Sequence, residues 1–313
     1  MSRISAPVTA LGRLLPDPLR AFLRRLWGAP PAAFAALVLM GLAAGAIGAP
    51  WIAPTDPYDL AALDLLDSHL PPAFVAGGDP RFLLGTDSQG GDLASLILYG
   101  LRASLAVGLL AVAISVCLGT AAGLASGYLG GRLDAIVMRI ADIQFTFPAM
   151  LLALLIGAIG QVLLPGDLRQ VFAMPIVVLA LGIAHWPHFA RLVRGAVLVE
   201  RQKDYVAAAR LVGRSGTYIM AVQLLPNVLN PILVLATLDI AFAIMSEATL
   251  SFLGFGMPST QPSLGTLIRS GYGYLFSGEW WLVAFPAGTL VALLVAVNVF
   301  GDWLRDWLDP KLD

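Results

Sequence analysis

Two carboxylates stand in otherwise apolar stretches of this sequence, Asp239 and, eight residues later, Glu247. Within an apolar helix bundle such a group is costly unless it faces the interior, water or a partner. Both are candidates for lining a pathway or gate. The structural alternative is a helix-to-helix hydrogen bond or, for Glu247, a place at the outer interface. His185 and His188 are spaced to share one helix face, but Pro187 stands between them. No nearby acid or cysteine completes a metal-ligand set, so they read as an interfacial helix end, and no metal site is expected. Cys117, the one cysteine, excludes an intrachain disulfide and reads as an inert buried thiol. Asn298 reads as bonding to a neighbouring helix. The chain has two lysines, Lys203 and Lys311, and neither follows a glycine, so there is no phosphate-binding Gly-x-x-x-x-Gly-Lys-Ser/Thr loop. No catalytic constellation is visible.

The elements that must hold these groups follow from composition. Of 313 residues, 58% are hydrophobic and 12% charged, and mean hydropathy is +0.81. Soluble domains carry about 25% charged residues, so this is an all-α polytopic membrane protein. The net charge of −1 gives no nucleic-acid signal. A spanning helix needs about 20 mostly apolar residues. Six runs qualify, at about 32–52, 104–124, 135–159, 171–189, 232–252 and 281–299. The third is interrupted by Asp142, Gln144, Thr146 and Pro148. The first follows about 30 residues and reads as an uncleaved anchor.

Placing both termini in the cytoplasm leaves only Arg81, Arg102, Arg169 and Arg269 of the 19 basic residues outside. The chain then divides into a cytoplasmic segment (1–31), the first span (32–52), a periplasmic segment (53–100), a five-helix core (101–302) and a cytoplasmic tail (303–313). Within the core, residues 190–227 form a basic cytoplasmic loop. Gly119, Gly123 and Gly127 recur every four residues, as do Gly41 and Gly45. This spacing lets helix backbones approach closely, either inside the chain or against a second subunit.

The 201–227 stretch is the most informative. Residues 201–212 are rich in alanine and favour helix. Tyr205, Ala208, Ala209 and Val212 fall at helical spacing, and Gly213 can close the helix with a left-handed cap. A second short helix can follow, with Pro226 marking the start of the fifth span. Small side chains on the first helix would let it seat in a partner's groove.

This segment resembles the EAA loop of permease subunits in bacterial ATP-binding-cassette importers. Three further segments resemble the dipeptide/oligopeptide/nickel group: Leu84-Gly-Thr-Asp-Ser-Gln-Gly-Gly-Asp92 with Leu98–Leu105, Glu247–Gly256, and Gly301–Pro310. The first span and its long outer loop resemble the C-type permease of the pair. In this chain Ala207 replaces the usual acid of the EAA triplet, Gln223 the usual histidine, and Gly91 the usual arginine.

The resemblance implies a type I importer permease fold with six transmembrane helices, half of a translocation pathway for short peptides or similar small solutes. It implies that Arg201, Asp204, Tyr205, Ala207, Ala208, Ala209, Arg210, Gly213, Tyr218, Leu225 and Pro226 couple to an ATPase. It also implies a second (B-type) permease subunit, one or two cytoplasmic ATPase subunits carrying ATP and Mg, and a periplasmic or lipid-anchored substrate-binding protein. The chain itself would hold no cofactor and would lie in membrane lipid. The rival reading is an ion-coupled secondary transporter using Asp239. Such folds often carry inverted repeats, and no repeat is visible here.

Overall fold

The computed structural model of the chain describes residues 17–59 and 63–308. Arg3, Arg13, Lys311 and the Asp309–Pro310 end of the last motif lie outside them. The described residues are almost entirely helical. In chain order the helices are α1 (Asp17–Trp27), α2 (Pro30–Ile52), α3 (Leu93–Leu129), α4 (Gly131–Phe145), α5 (Ala149–Leu163), α6 (Gly166–Glu200), α7 (Asp204–Leu211), α8 (Gly216–Tyr218), α9 (Leu225–Leu253), α10 (Leu264–Tyr272) and α11 (Trp281–Leu308). A π-helical turn, Ile219–Leu224, joins α8 to α9. Five helical stretches are long and apolar enough to cross a membrane, and the bent pair α4–α5 supplies a sixth if it crosses as one.

Several boundaries differ from the sequence reading, each for a local reason. The second span starts at Leu93, inside the segment 53–100, because Asp92 caps it: its carboxylate accepts from the Ser95 amide at 2.8 Å. The third span is not one rod. Pro148 cannot donate to the helix ladder, and the chain turns by 90° between α4 and α5. Thr146 bonds back to the Ile143 carbonyl at this break. The fourth span runs on to Glu200, so residues 190–200 of the expected loop are helix. The sixth continues to Leu308, into the expected tail. Pro226 stands in the first turn of α9, as expected, although α8, the π turn and α9 run on as one helical stretch, Gly216–Leu253.

Continuity of α6 through Pro187 has a specific cause. A proline there removes the amide that would bond to the carbonyl of Ile183. Gln144 supplies the missing donor: its Nε2 reaches the Ile183 oxygen at 2.6 Å and that of Ala184 at 3.1 Å. Its Oε1 accepts from Trp186 Nε1 at 2.9 Å. The polar interruption of the third span thus repairs the fourth.

The central packing unit is α3 against α6. A Cβ at Gly119 would lie 2.5 Å from the Trp186 carbonyl oxygen, and one at Gly123 would lie 2.6 Å from that of Ala190. The glycines of this repeat therefore let two backbones meet inside the chain. Phe189, Val193 and Val197 are fully buried along the same seam. The Gly41/Gly45 pair is unlike it, since a Cβ at Gly41 would touch nothing.

Outward-facing Phe34, Leu109, Leu151, Phe242 and Val291 remain exposed, as lipid-facing positions should. Cys117 is exposed among them, not buried as the sequence suggested. Asn298 donates to the Leu294 carbonyl of its own helix at 2.9 Å, not to a neighbour. Helix α1 packs Phe22 edge-on against Trp303 and Trp307 of α11, with ring centroids 5.0 and 5.1 Å apart, tying the first described helix to the last.

Candidate functional site

Helix α7 lies between the ends of α6 and α9. It turns Val206 and Ala209 into the core and leaves Asp204, Ala207, Ala208 and Arg210 exposed. The stripe Tyr205, Ala208, Ala209, Val212 is therefore split between two faces. Gly213 adopts φ +80°, and the Arg214 amide bonds back to the Ala209 carbonyl at 3.1 Å, which closes the helix as a left-handed cap. Just before this turn, Leu211 and Val212 are 88% and 77% exposed. They form an apolar tip that the sequence reading did not single out.

The same segment is lashed to three helices. Tyr205 donates to Glu200 at the end of α6 at 2.8 Å, and accepts from Asn227 of α9 at 3.3 Å. Lys203 pairs with Glu200 at 2.6 Å. Arg201 caps the end of α3 through the Gly127 carbonyl at 2.7 Å. Arg210 lies over the Tyr128 ring and Arg214 over that of Tyr218, at 5.1 and 4.7 Å from the centroids. Nearby, Arg194 grips Asp134 through two nitrogens, joining α6 to α4. Burial, followed by the Glu200 carboxylate, pushes the Tyr205 hydroxyl up to about 12.

Arg201 and Tyr205 thus build the frame, while Asp204, Ala207, Ala208 and Arg210 present a surface. Leu225 packs toward the core and Pro226 sits exposed on α9, so neither joins the α7 face. Glu200, Asn227 and Tyr128 complete the frame. Only Glu200, three residues before Lys203 and five before Tyr205, left a local trace in the sequence.

The two carboxylates of α9 are both buried. Asp239 lies 2.6 Å from His185 Nδ1 across the α6–α9 contact. His185 is therefore not at an interfacial helix end, because α6 does not stop at Pro187. His185 engages one oxygen of this carboxylate, and the other, Oδ2, is buried without a hydrogen-bond partner among the described residues. Glu247 is fully buried and accepts from Ser104 of α3 at 2.9 Å and from Ser251 at 2.7 Å. It is a helix-to-helix link and not a surface group. The segment after it folds back at Gly254 (φ +90°), and the Met257 amide bonds to Ser251 Oγ at 2.9 Å.

Comparison with known proteins agrees with this architecture. The family described as binding-protein-dependent transport system inner membrane component matches residues 115–313. The di/tripeptide transport system permease protein DppC of Pseudomonas aeruginosa (strain UCBPP-PA14) is 39% identical over 308 residues, 98% of this chain and 97% of that one. The probable D,D-dipeptide transport system permease protein DdpC of Escherichia coli (strain K12) is 37% identical, covering 91% of this chain and 89% of that one. A solved inward facing structure of the MetNI methionine ABC transporter aligns with a TM-score of 0.53 at 21% identity, covering 68% of this chain and 96% of that one. That likeness concerns the fold, and it is the type I importer permease fold. The chain belongs to the binding-protein-dependent transport system inner membrane components, the permease subunits that work with a partner permease, an ATPase and a substrate-binding protein.

Proposed function

We propose that this chain forms half of the translocation pathway for short peptides in a bacterial inner membrane, with both termini in the cytoplasm. The placement of the basic residues supports that orientation: the α7 end carries Arg194, Arg201, Lys203, Arg210 and Arg214. The names of the relatives, peptide permeases at 37–39% identity, support the substrate class. A B-type permease forms the other half. A periplasmic or lipid-anchored protein delivers the peptide, and one or two kinds of ATPase subunit bind ATP and Mg²⁺ on the cytoplasmic side.

The exposed tip of α7 carries this reading. Leu211 and Val212 project from a segment braced to α3, α6 and α9, so a partner that seats them moves the bundle and not a loose loop. ATP-driven closure of the partners then biases the spans between two access states. Gly213→Val tests this. A β-branched residue at φ +80° is strained by about 1–2 kcal/mol, and the tip would be reoriented. The assembled importer should insert normally and lose most of its ATP-dependent dipeptide uptake. Undiminished uptake would refute the coupling role.

A further inference from the structure

At the end of α6 and α9 remote from α7 lies a cavity of about 560 Å³ between the α5–α6 turn and the turn that follows α9. Its volume falls in the range of about 300–1,000 Å³ typical of small-molecule sites. Arg169 and Arg269 both line it, together with Gln170, Ser259, Thr266 and Ser270, and among the described residues no Asp or Glu does. They are two of only four basic residues on the outer side under the proposed orientation.

Both guanidiniums are positioned by backbone. Arg169 Nε donates to the Leu164 carbonyl at 2.8 Å, which directs its other nitrogens elsewhere. Arg269 packs over Gly254, where a Cβ would sit 2.2 Å from its Nη1. Residue 254 is thus glycine for two reasons, the left-handed turn and the room for Arg269. Among the described residues neither arginine has a carboxylate partner. Across the wall formed by Ser259, Thr266 and Ser270, a second cavity of about 380 Å³ carries Asp87 and Asp92. Asp92 Oδ1 is buried there without a hydrogen-bond partner. Charge is therefore separated across one wall, with cations on one side and carboxylates on the other.

We infer that the Arg169/Arg269 cavity takes the C-terminal carboxylate of a peptide released by the binding protein. The inference rests on the peptide reading above. Guanidinium forks match carboxylates in geometry as well as charge, and the field across the wall turns a zwitterion carboxylate-first toward the arginines.

The test uses the assembled importer in nanodiscs, without binding protein, carrying Cys117→Ala and Ser259→Cys. Maleimide labelling at position 259 should be slowed by dialanine and not by dialanine amide. In Arg169→Gln/Arg269→Gln, the dialanine concentration for half-protection should rise about tenfold or more. The Lys/Lys pair should fall between, since it keeps charge and loses the fork. Equal protection by the amide, or unchanged protection in the double Gln variant, overturns the inference. So does protection that needs no peptide and follows phosphatidylglycerol content, which would assign the guanidiniums to lipid head groups. Uptake of dialanine by the wild-type importer is measured in parallel with its binding protein. Uptake without protection overturns the carboxylate site alone, whereas protection without uptake overturns the peptide reading.

Discussion

Small residues serve opposite ends in two regions of this molecule. Along α3, Gly119, Gly123 and Gly127 are buried, and their missing side chains let α6 approach to backbone contact. On α7, Ala207 and Ala208 are exposed, and their small side chains keep that face of the helix open. The first region is finished within one chain. The second is a finished frame around an unfinished surface. Rigidity and availability are thus separated by less than one helix, as a lever requires.

Breaking the seam should have the largest effect. Gly123→Val drives a branched side chain into a site where even a Cβ lies 2.6 Å from the Ala190 carbonyl oxygen. The expected cost is about 3 kcal/mol, read as a fall in the thermal midpoint of the detergent-purified importer and in the amount of chain inserted. An equal effect from Gly41→Val would erase the distinction between the two glycine repeats, because Gly41 faces open space.

The buried acids of α9 sharpen the comparison. Asp239→Ala removes the partner of buried His185 and should cost about 2 kcal/mol. Glu247→Gln keeps a carbonyl oxygen to accept from Ser104 or Ser251, so its cost should be about 1 kcal/mol or less. Denaturation of the two variants side by side checks the order.

On the α7 surface, Ala207→Glu restores the family's usual acid at an exposed position. It should leave insertion unchanged and alter ATPase retention on the purified permease, by about threefold if one exposed ion pair forms. Tyr205 offers the mildest probe. Its folded pKa of about 12 lies above the ordinary tyrosine value, so the neutral form is favoured by folding. The contribution is complete below the unfolded pKa, near 10, and is lost as pH rises toward 12. Tyrosinate absorbance of wild type minus Tyr205→Phe should therefore appear late, near pH 12. A difference curve centred near 10 would show that the Glu200–Tyr205–Asn227 frame does not form.

Much of this was legible beforehand because the signals are local. Apolar runs mark spans, and a glycine able to take positive φ marks the end of α7. What escaped reading depends on residues distant in sequence. Pro187 looked like the end of a span, and only Gln144, 43 positions earlier, shows why it is not. His185 looked interfacial for the same reason, and its partner Asp239 lies 54 positions away. The bond by which Arg201 closes α3 through Gly127, 74 positions earlier, left no local sign either.

The sequence alone determined the helical, membrane-spanning nature of the chain and its family, since these follow from composition, period and contiguous motifs. The tertiary structure decided which polar groups are already satisfied and which remain on offer. A buried donor or acceptor must find its partner wherever the fold brings one, and that pairing is written in no local pattern. By that accounting α7 keeps its exposed tip, one oxygen of Asp239 is taken by His185 and the other is left without a partner, and Arg169 and Arg269 share a cavity that no carboxylate among the described residues lines.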